Sequence, residues 1–243
     1  MPKERRELIK NIIMADGRIT LARLAEIFGG VSQMTLRRDL ELLEKQGHIL
    51  RTKGGAVSCL SVINENALNK IEANYRDRDM VNAEGKETIA RLAAKMIEPG
   101  RAIYLDAGTT TMRLARNMEK AKLSIFTSGP NIALELTNKE FDDVSLTGGK
   151  INPDNMSLSG MAALEFMETV NIDMAFLAAS GYDAQSGYTC GKYDEYTLKK
   201  LIVRKAKKVI MLIDSSKLGK SLPYTFAVDE DVDILLCDKQ TRD

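Results

Sequence analysis

"SQMTLRRDLELLEKQGHILRTKGGA", residues 32–56, decides how the chain begins. Ser32 is a residue type that caps helices, with its hydroxyl oxygen near the amides of Met34 and Thr35. Behind it Leu36, Leu40 and Leu43 recur at helical spacing, and Leu42 widens the apolar face. Gly47 suits the left-handed position just past a helix end. His48-Ile49-Leu50-Arg51 then reads as a short strand, and Gly54-Gly55 turns a hairpin back through Ala56-Val57. One helix therefore starts cationic, at Arg37 and Arg38, and continues as core.

Upstream, Leu8, Ile9, Ile12 and Ile13 share a helical face that Asp16-Gly17 ends. Thr20 caps a second helix with the stripe Leu21, Leu24, Ala25 and Phe28, and Gly29-Gly30-Val31 makes a short turn. Helix, helix, short turn, helix, hairpin is the order of a winged helix-turn-helix, whose third helix enters the DNA major groove by its N-terminal part. Ser32, Gln33, Met34, Thr35, Arg37 and Arg38 are then the residues near DNA. Arginine can take guanine bidentately and glutamine adenine, whereas a hydroxyl more often fixes a phosphate. Arg51 and Lys53 on the hairpin would hold backbone phosphates. A helical bundle with a solvated arginine pair shares the pattern, which leaves both readings open.

The charge is split along the chain. Residues 1–56 hold 11 Lys/Arg against 7 Asp/Glu, a net of +4, and the remainder 24 against 27, a net of −3. A basic head on a mildly acidic body fits a nucleic-acid reader joined to something else. The 243 residues, 44% of them hydrophobic, suffice for two packed domains. We expect a DNA-binding domain over 1–57, a linker, in part helical, over 58–84, where periodicity is weak, and a second domain over 85–243. Three cysteines far apart and a single histidine assemble no zinc spacing, so neither metal nor cofactor is expected. The N-terminus lacks the apolar stretch of a signal peptide, and runs such as Val209–Ile213 are too short to span a bilayer. A soluble, cytoplasmic protein without membrane contact is the expectation.

From Gly85 the grammar changes. Ile89, Leu92, Ala93 and Met96 form a helical stripe closed by Pro99-Gly100. "AIYLD" (102–106), "LSIFT" (123–127), "DVSLTGGK", "IDMAFLAASGYD", "KKVIMLIDSSK" and "DILLCD" read as strands, with helices over Ala162–Thr169 and Tyr193–Lys205 among them. Such alternation indicates an α/β domain with a mostly parallel sheet. Ligands in these sheets sit beyond the strands' carboxyl ends. There the chain places Asp106, Gly108, Thr109, Thr110 and Thr111 directly before a helix, a composition that suits a phosphate dianion. It is neither a Walker loop nor a dinucleotide fingerprint, and a plain turn and cap would look alike. Ser128, Gly148-Gly149-Lys150, Gly181, Asp183 and Lys217 end other strands. Lys217 can supply charge to a phosphate, while Asp106 or Asp183 could accept from sugar hydroxyls.

The stretch from Val31 to Ala56 closely resembles the N-terminal signature of the DeoR family of bacterial transcriptional regulators. Its Val-Ser opening, Thr-x-Arg-Arg-Asp-Leu core, Leu-x-x-x-Gly helix end and Arg-x-x-Gly-Gly-Ala wing occur in order. Leu36 replaces the usual isoleucine. "IYLDAGTTT", "SLTGGKI", "AFLAASGYD", "DEYTLKK" and "LIDSSKLGK" resemble the same family's sensor domain, so the likeness runs from about residue 3 to about 238. It implies a fold resembling ribose-5-phosphate isomerase, a phosphorylated sugar effector held at Gly108–Thr111 with Lys217 and Lys199 nearby, an operator of double-stranded DNA, and a homo-oligomer, dimer or tetramer. Thr127-Ser128-Gly129 and Ala178-Ala179-Ser180-Gly181 depart from the family's usual Thr-Asn-Ser and Gly-Ala-Asp-Gly. Both lie near the expected sugar.

The opposing reading is a sugar-phosphate isomerase with a DNA-binding head. Isomerisation needs a placed general base. The isomerase relatives carry an Asp-Gly-Ala-Asp-Glu segment where this chain has Ala-Ser-Gly-Tyr-Asp. Asp183 and Glu195 remain as bases, and Glu195 equally suits Lys199, four residues on. Loss of the other carboxylates favours a regulator with no catalytic residues. A nonspecific DNA binder, expected to be steeply salt-dependent, fits poorly with so large an α/β body.

Overall fold

In a computed structural model, residues 2–16, 18–52, 54–58 and 75–239 are described. The chain divides into two compact units, residues 1–83 and 84–243.

The first unit contains α1 (Pro2–Asp16), β1 (Arg18–Thr20), α2 (Leu21–Ile27), α3 (Gln33–Lys45), β2 (Ile49–Thr52), β3 (Gly55–Ser58) and α4 (Tyr75–Met80). Its core joins Ile9 and Ile13 to Leu24, Leu36, Leu40, Leu43 and Ile49. Leu8 and Leu42, expected on apolar faces, are exposed instead. Each fully buried aliphatic side chain contributes roughly 1.5–3 kcal/mol. Thr20 caps α2 by accepting from the Arg23 amide at 3.2 Å. The hairpin gains a third strand that sequence periodicity missed: β1 pairs antiparallel with β3, in the order β1-β3-β2. Three residues are too few for a period, and the pairing depends on Gly55, where a β-carbon would collide with the Ile19 carbonyl. Of the expected linker over 58–84, residues 59–74 lie outside the described residues, while α4 is grouped with the first unit.

The second unit opens with α5 (Ala83–Ala94), β4 (Ala102–Leu105), α6 (Thr109–Asn117), β5 (Ser124–Thr127), α7 (Pro130–Asn138) and β6 (Val144–Leu146). A hairpin, β7 (Lys150–Asn152) with β8 (Ser157–Ser159), precedes α8 (Met161–Glu168) and β9 (Ile172–Ala178). Then come β10 (Gly181–Asp183), β11 (Gly187–Cys190), α9 (Tyr193–Lys205), β12 (Ala206–Ile213), β13 (Tyr224–Ala227) and β14 (Ile234–Cys237). Six strands form one sheet in the order β14-β12-β9-β4-β5-β6, parallel throughout. Alternation along each strand feeds two cores. Ile103, Leu105, Met174, Phe176, Ile210 and Leu212 face one; Tyr104, Ala175, Leu177, Val209, Met211 and Ile213 face the other.

Two expectations need correction. "IDMAFLAASGYD" is two strands in two sheets, because β10 leaves the parallel sheet to pair with β11 in an antiparallel β10-β11-β13 layer. Gly181 permits that departure, since a β-carbon there would meet the backbone and side chain of Lys220 and Leu222. The stripe of α5 is Lys86, Ile89, Ala90 and Ala93, all buried, whereas Leu92 faces outward.

Candidate functional site

The sheet reverses its winding between β4 and β9. From β4 the chain steps to β5 and β6, then crosses back to lay β9, β12 and β14 on the other side. A crevice opens at such a reversal beyond the carboxyl ends. Just past β4, the Asp106 carboxylate accepts from the Ala178 amide at 3.0 Å, and its own amide donates to the Phe176 carbonyl at 3.0 Å. Lys199 reaches in from α9. Its ammonium donates to Asp106 and, at 2.7 Å, to the Ala178 carbonyl, and lies 3.2 Å from Glu195. Three acceptors match the three protons of an ammonium. Lys199 is 3% exposed. Burial alone would push its pKa down, but Asp106 and Glu195 outweigh that and hold it up, so it stays charged. Lys199 is thus a buried strut across the reversal.

Several of the residues expected to hold an effector lie on the loops that follow β4, β5 and β12. Gly108 caps α6, and Thr109, Thr110 and Thr111 are buried, the Thr111 hydroxyl donating to the Gly108 carbonyl at 3.1 Å. Ser128 accepts from the buried Tyr104 hydroxyl at 2.9 Å and, through its carbonyl, from the Leu158 amide at 2.7 Å. Gly129 abuts Ala107, which brings the loops after β4 and β5 together. Lys217 ends the 3-10 turn after β12, a turn that Asp214 caps by accepting from the Ser216 amide.

Gly148, Gly149 and Lys150 lead into the β7–β8 hairpin, and Gly181 and Asp183 lie in β10. Gly148 and Gly149 adopt φ +73° and +103° and turn the chain into β7, where Lys150 lines a cleft of about 290 Å³ with Asn152, Ser159, Lys192, Asp194 and Glu195. Gly181 belongs to the antiparallel layer. Asp183 stabilises the β10–β11 turn by accepting from the Gln185 and Ser186 amides at 2.9 and 3.2 Å.

Several residues went unnoticed in the sequence. Asn155 donates to Glu195 at 3.0 Å, and Lys192 to Asn152 and Asp154, tying the β7–β8 turn to α9. Lys86 and Asp214 are 3.9 Å apart, each side chain 1% exposed. The signal for Lys86 was its place three residues before Ile89 on a buried stripe. Tyr104 and Asn155 gave no signal, since their partners are remote in sequence.

In the first unit, Ser32 caps α3 by accepting from the Thr35 amide at 3.2 Å. Gln33, Met34, Arg37 and Arg38 are exposed, while Asp39 turns inward to accept from Arg5 of α1 at 2.7 Å. Arg51, expected on phosphates, is engaged within its own domain by Glu44 at 2.7 Å and Glu41 at 3.1 Å. Lys53 lies outside the described residues. Among the described residues, no group of three or more His, Cys, Asp or Glu could hold a metal ion.

Comparison with known proteins agrees with both halves. The family described as DeoR-like helix-turn-helix domain matches residues 5–62, and the DeoR C terminal sensor domain matches residues 81–239. The HTH-type transcriptional regulator GlpR of Haloferax volcanii is 38% identical over 240 residues, 98% of this chain and 90% of that protein. The HTH-type transcriptional repressor GlcR of Bacillus subtilis is 32% identical over 237 residues, 98% of this chain and 88% of that protein. A solved ribose 5-phosphate isomerase A from Methanocaldococcus jannaschii aligns with 57% of this chain and 56% of its own at 18% identity and a TM-score of 0.43. With both domains matched in order, and relatives of this identity spanning nearly its whole length, the chain belongs to the DeoR family of transcriptional regulators.

Proposed function

We propose that the chain represses an operon for carbohydrate use, binding its operator through α3 and answering to a phosphorylated sugar bound at the strand ends. Family membership makes it a transcriptional regulator and not an enzyme. The observation that carries the finer reading is a pairing of features on one chain. A capped helix presents Gln33, Met34, Arg37 and Arg38 to solvent, and a Gly-Thr-Thr-Thr helix start lies at the reversal of a parallel sheet. The first suits a major groove and the second a phosphate. We place the protein in the cytoplasm as a homo-oligomer, so that two heads meet two half-sites. No helix among the described residues is long and apolar enough to cross a membrane.

Coupling between the two sites must be reciprocal. The test is fluorescence anisotropy of the full chain on a duplex from its own upstream region, with and without each of a panel of sugar phosphates. Arg37→Ala with Arg38→Ala abolishes specific binding and leaves effector binding intact. Changes at Thr109, Thr110 and Lys217 do the reverse. An effector that binds equally well with and without operator overturns the coupling.

A further inference from the structure

The outward face of α3 carries residues 34, 37, 38 and 41, opposite the buried Leu36, Leu40 and Leu43. Its far end is occupied, because Glu41 and Glu44 hold Arg51. Two carboxylates and their clamp leave base contacts to the first two turns: Gln33, Met34, Arg37 and Arg38. Three of these offer strong hydrogen-bonding groups. Met34 offers a thioether, at most a weak acceptor, and stands 61% exposed between an amide and two cations. The Ser32 cap pins the turn that bears it. A flexible apolar chain gains there only by covering another apolar group. In the major groove, base edges present donors and acceptors, and the one methyl group among them is at C5 of thymine.

We propose that Met34 is a specificity-determining residue that covers a thymine methyl beside the base taken by Arg37 or Arg38. The assignment rests on the DNA-binding reading above. The probe is a duplex enriched from a random-sequence pool by the full-length chain, with each thymine replaced singly by deoxyuridine, which lacks only the methyl. At one thymine per recognition helix the replacement weakens binding about fourfold, the worth of one buried methyl. Met34→Ala binds the thymine and uracil duplexes equally. Met34→Gln shifts the preference at that position toward adenine, whose N6 and N7 an amide can pair. An enriched duplex indifferent to every uracil replacement overturns the assignment and leaves the DNA-binding reading standing. A methyl penalty that survives in Met34→Ala overturns it as well. Failure to enrich any duplex overturns the DNA-binding reading and the assignment together.

Discussion

Both carboxylate oxygens of Glu44 are taken by Arg51: Oε2 by the guanidinium Nε at 2.7 Å, Oε1 by the backbone amide at 2.9 Å. The last turn of α3 thereby grips the first strand of the hairpin. From this grip we expect Arg51 to act by positioning the wing and by neutralising Glu41 and Glu44, not by holding a phosphate. A phosphate contact releases counterions and adds about one to the salt slope, whereas a positioning residue adds none. Arg51→Ala is expected to weaken operator binding while the slope of log affinity against log salt stays unchanged. A slope smaller by about one would restore the phosphate role.

The same pair sets an acid sensitivity. Partial burial raises the Glu44 pKa, but the Arg51 amide and guanidinium outweigh it and hold it below the usual carboxylate range. A depressed carboxylate stabilises the fold above its unfolded pKa and loses that contribution as pH falls through the folded value. Protection of the Arg51 amide from hydrogen exchange, corrected for intrinsic rate, should therefore persist through the usual carboxylate range and decline only as pH falls below it. In Glu44→Gln this step disappears.

Lys199 offers a sharper stability test. Removing one partner of a buried ion pair leaves an uncompensated charge and costs roughly 3–5 kcal/mol. Lys199→Met strands Asp106 and Glu195 in the sheet reversal, so the second unit should melt well below the parent. Adding Asp106→Asn and Glu195→Gln should recover part of the loss. Full stability in the single variant would show that the strut is unimportant.

Effector identity is accessible by thermal shift. A ligand at a hundred times its dissociation constant stabilises by about 2.7 kcal/mol. The stabilising sugar phosphate should lose its effect in Thr110→Ala, and its unphosphorylated parent should have none. Equal shifts from both compounds would remove the phosphate from the recognition.

The winged helix was legible because its contacts are local: a cap three residues from its amide, leucines at helical spacing, a glycine at the helix end. The parallel sheet was legible because buried strands and the loops behind them carry strong periodic and turn signals. What the sequence determined alone is the helix-helix-turn-helix-hairpin order of the head, the strands of the main sheet and the residues at the strand ends. Tertiary structure decided their employment. Asp106 and Lys199, 93 positions apart, became a strut when β4, β9 and α9 were packed together. Arg51 met Glu44 and Glu41 when β2 was laid beside α3, and Asp183 met the Gln185 and Ser186 amides when β10 turned into β11. A side chain's chemistry is written in its type, but its partner is chosen by which distant backbone comes within hydrogen-bond reach.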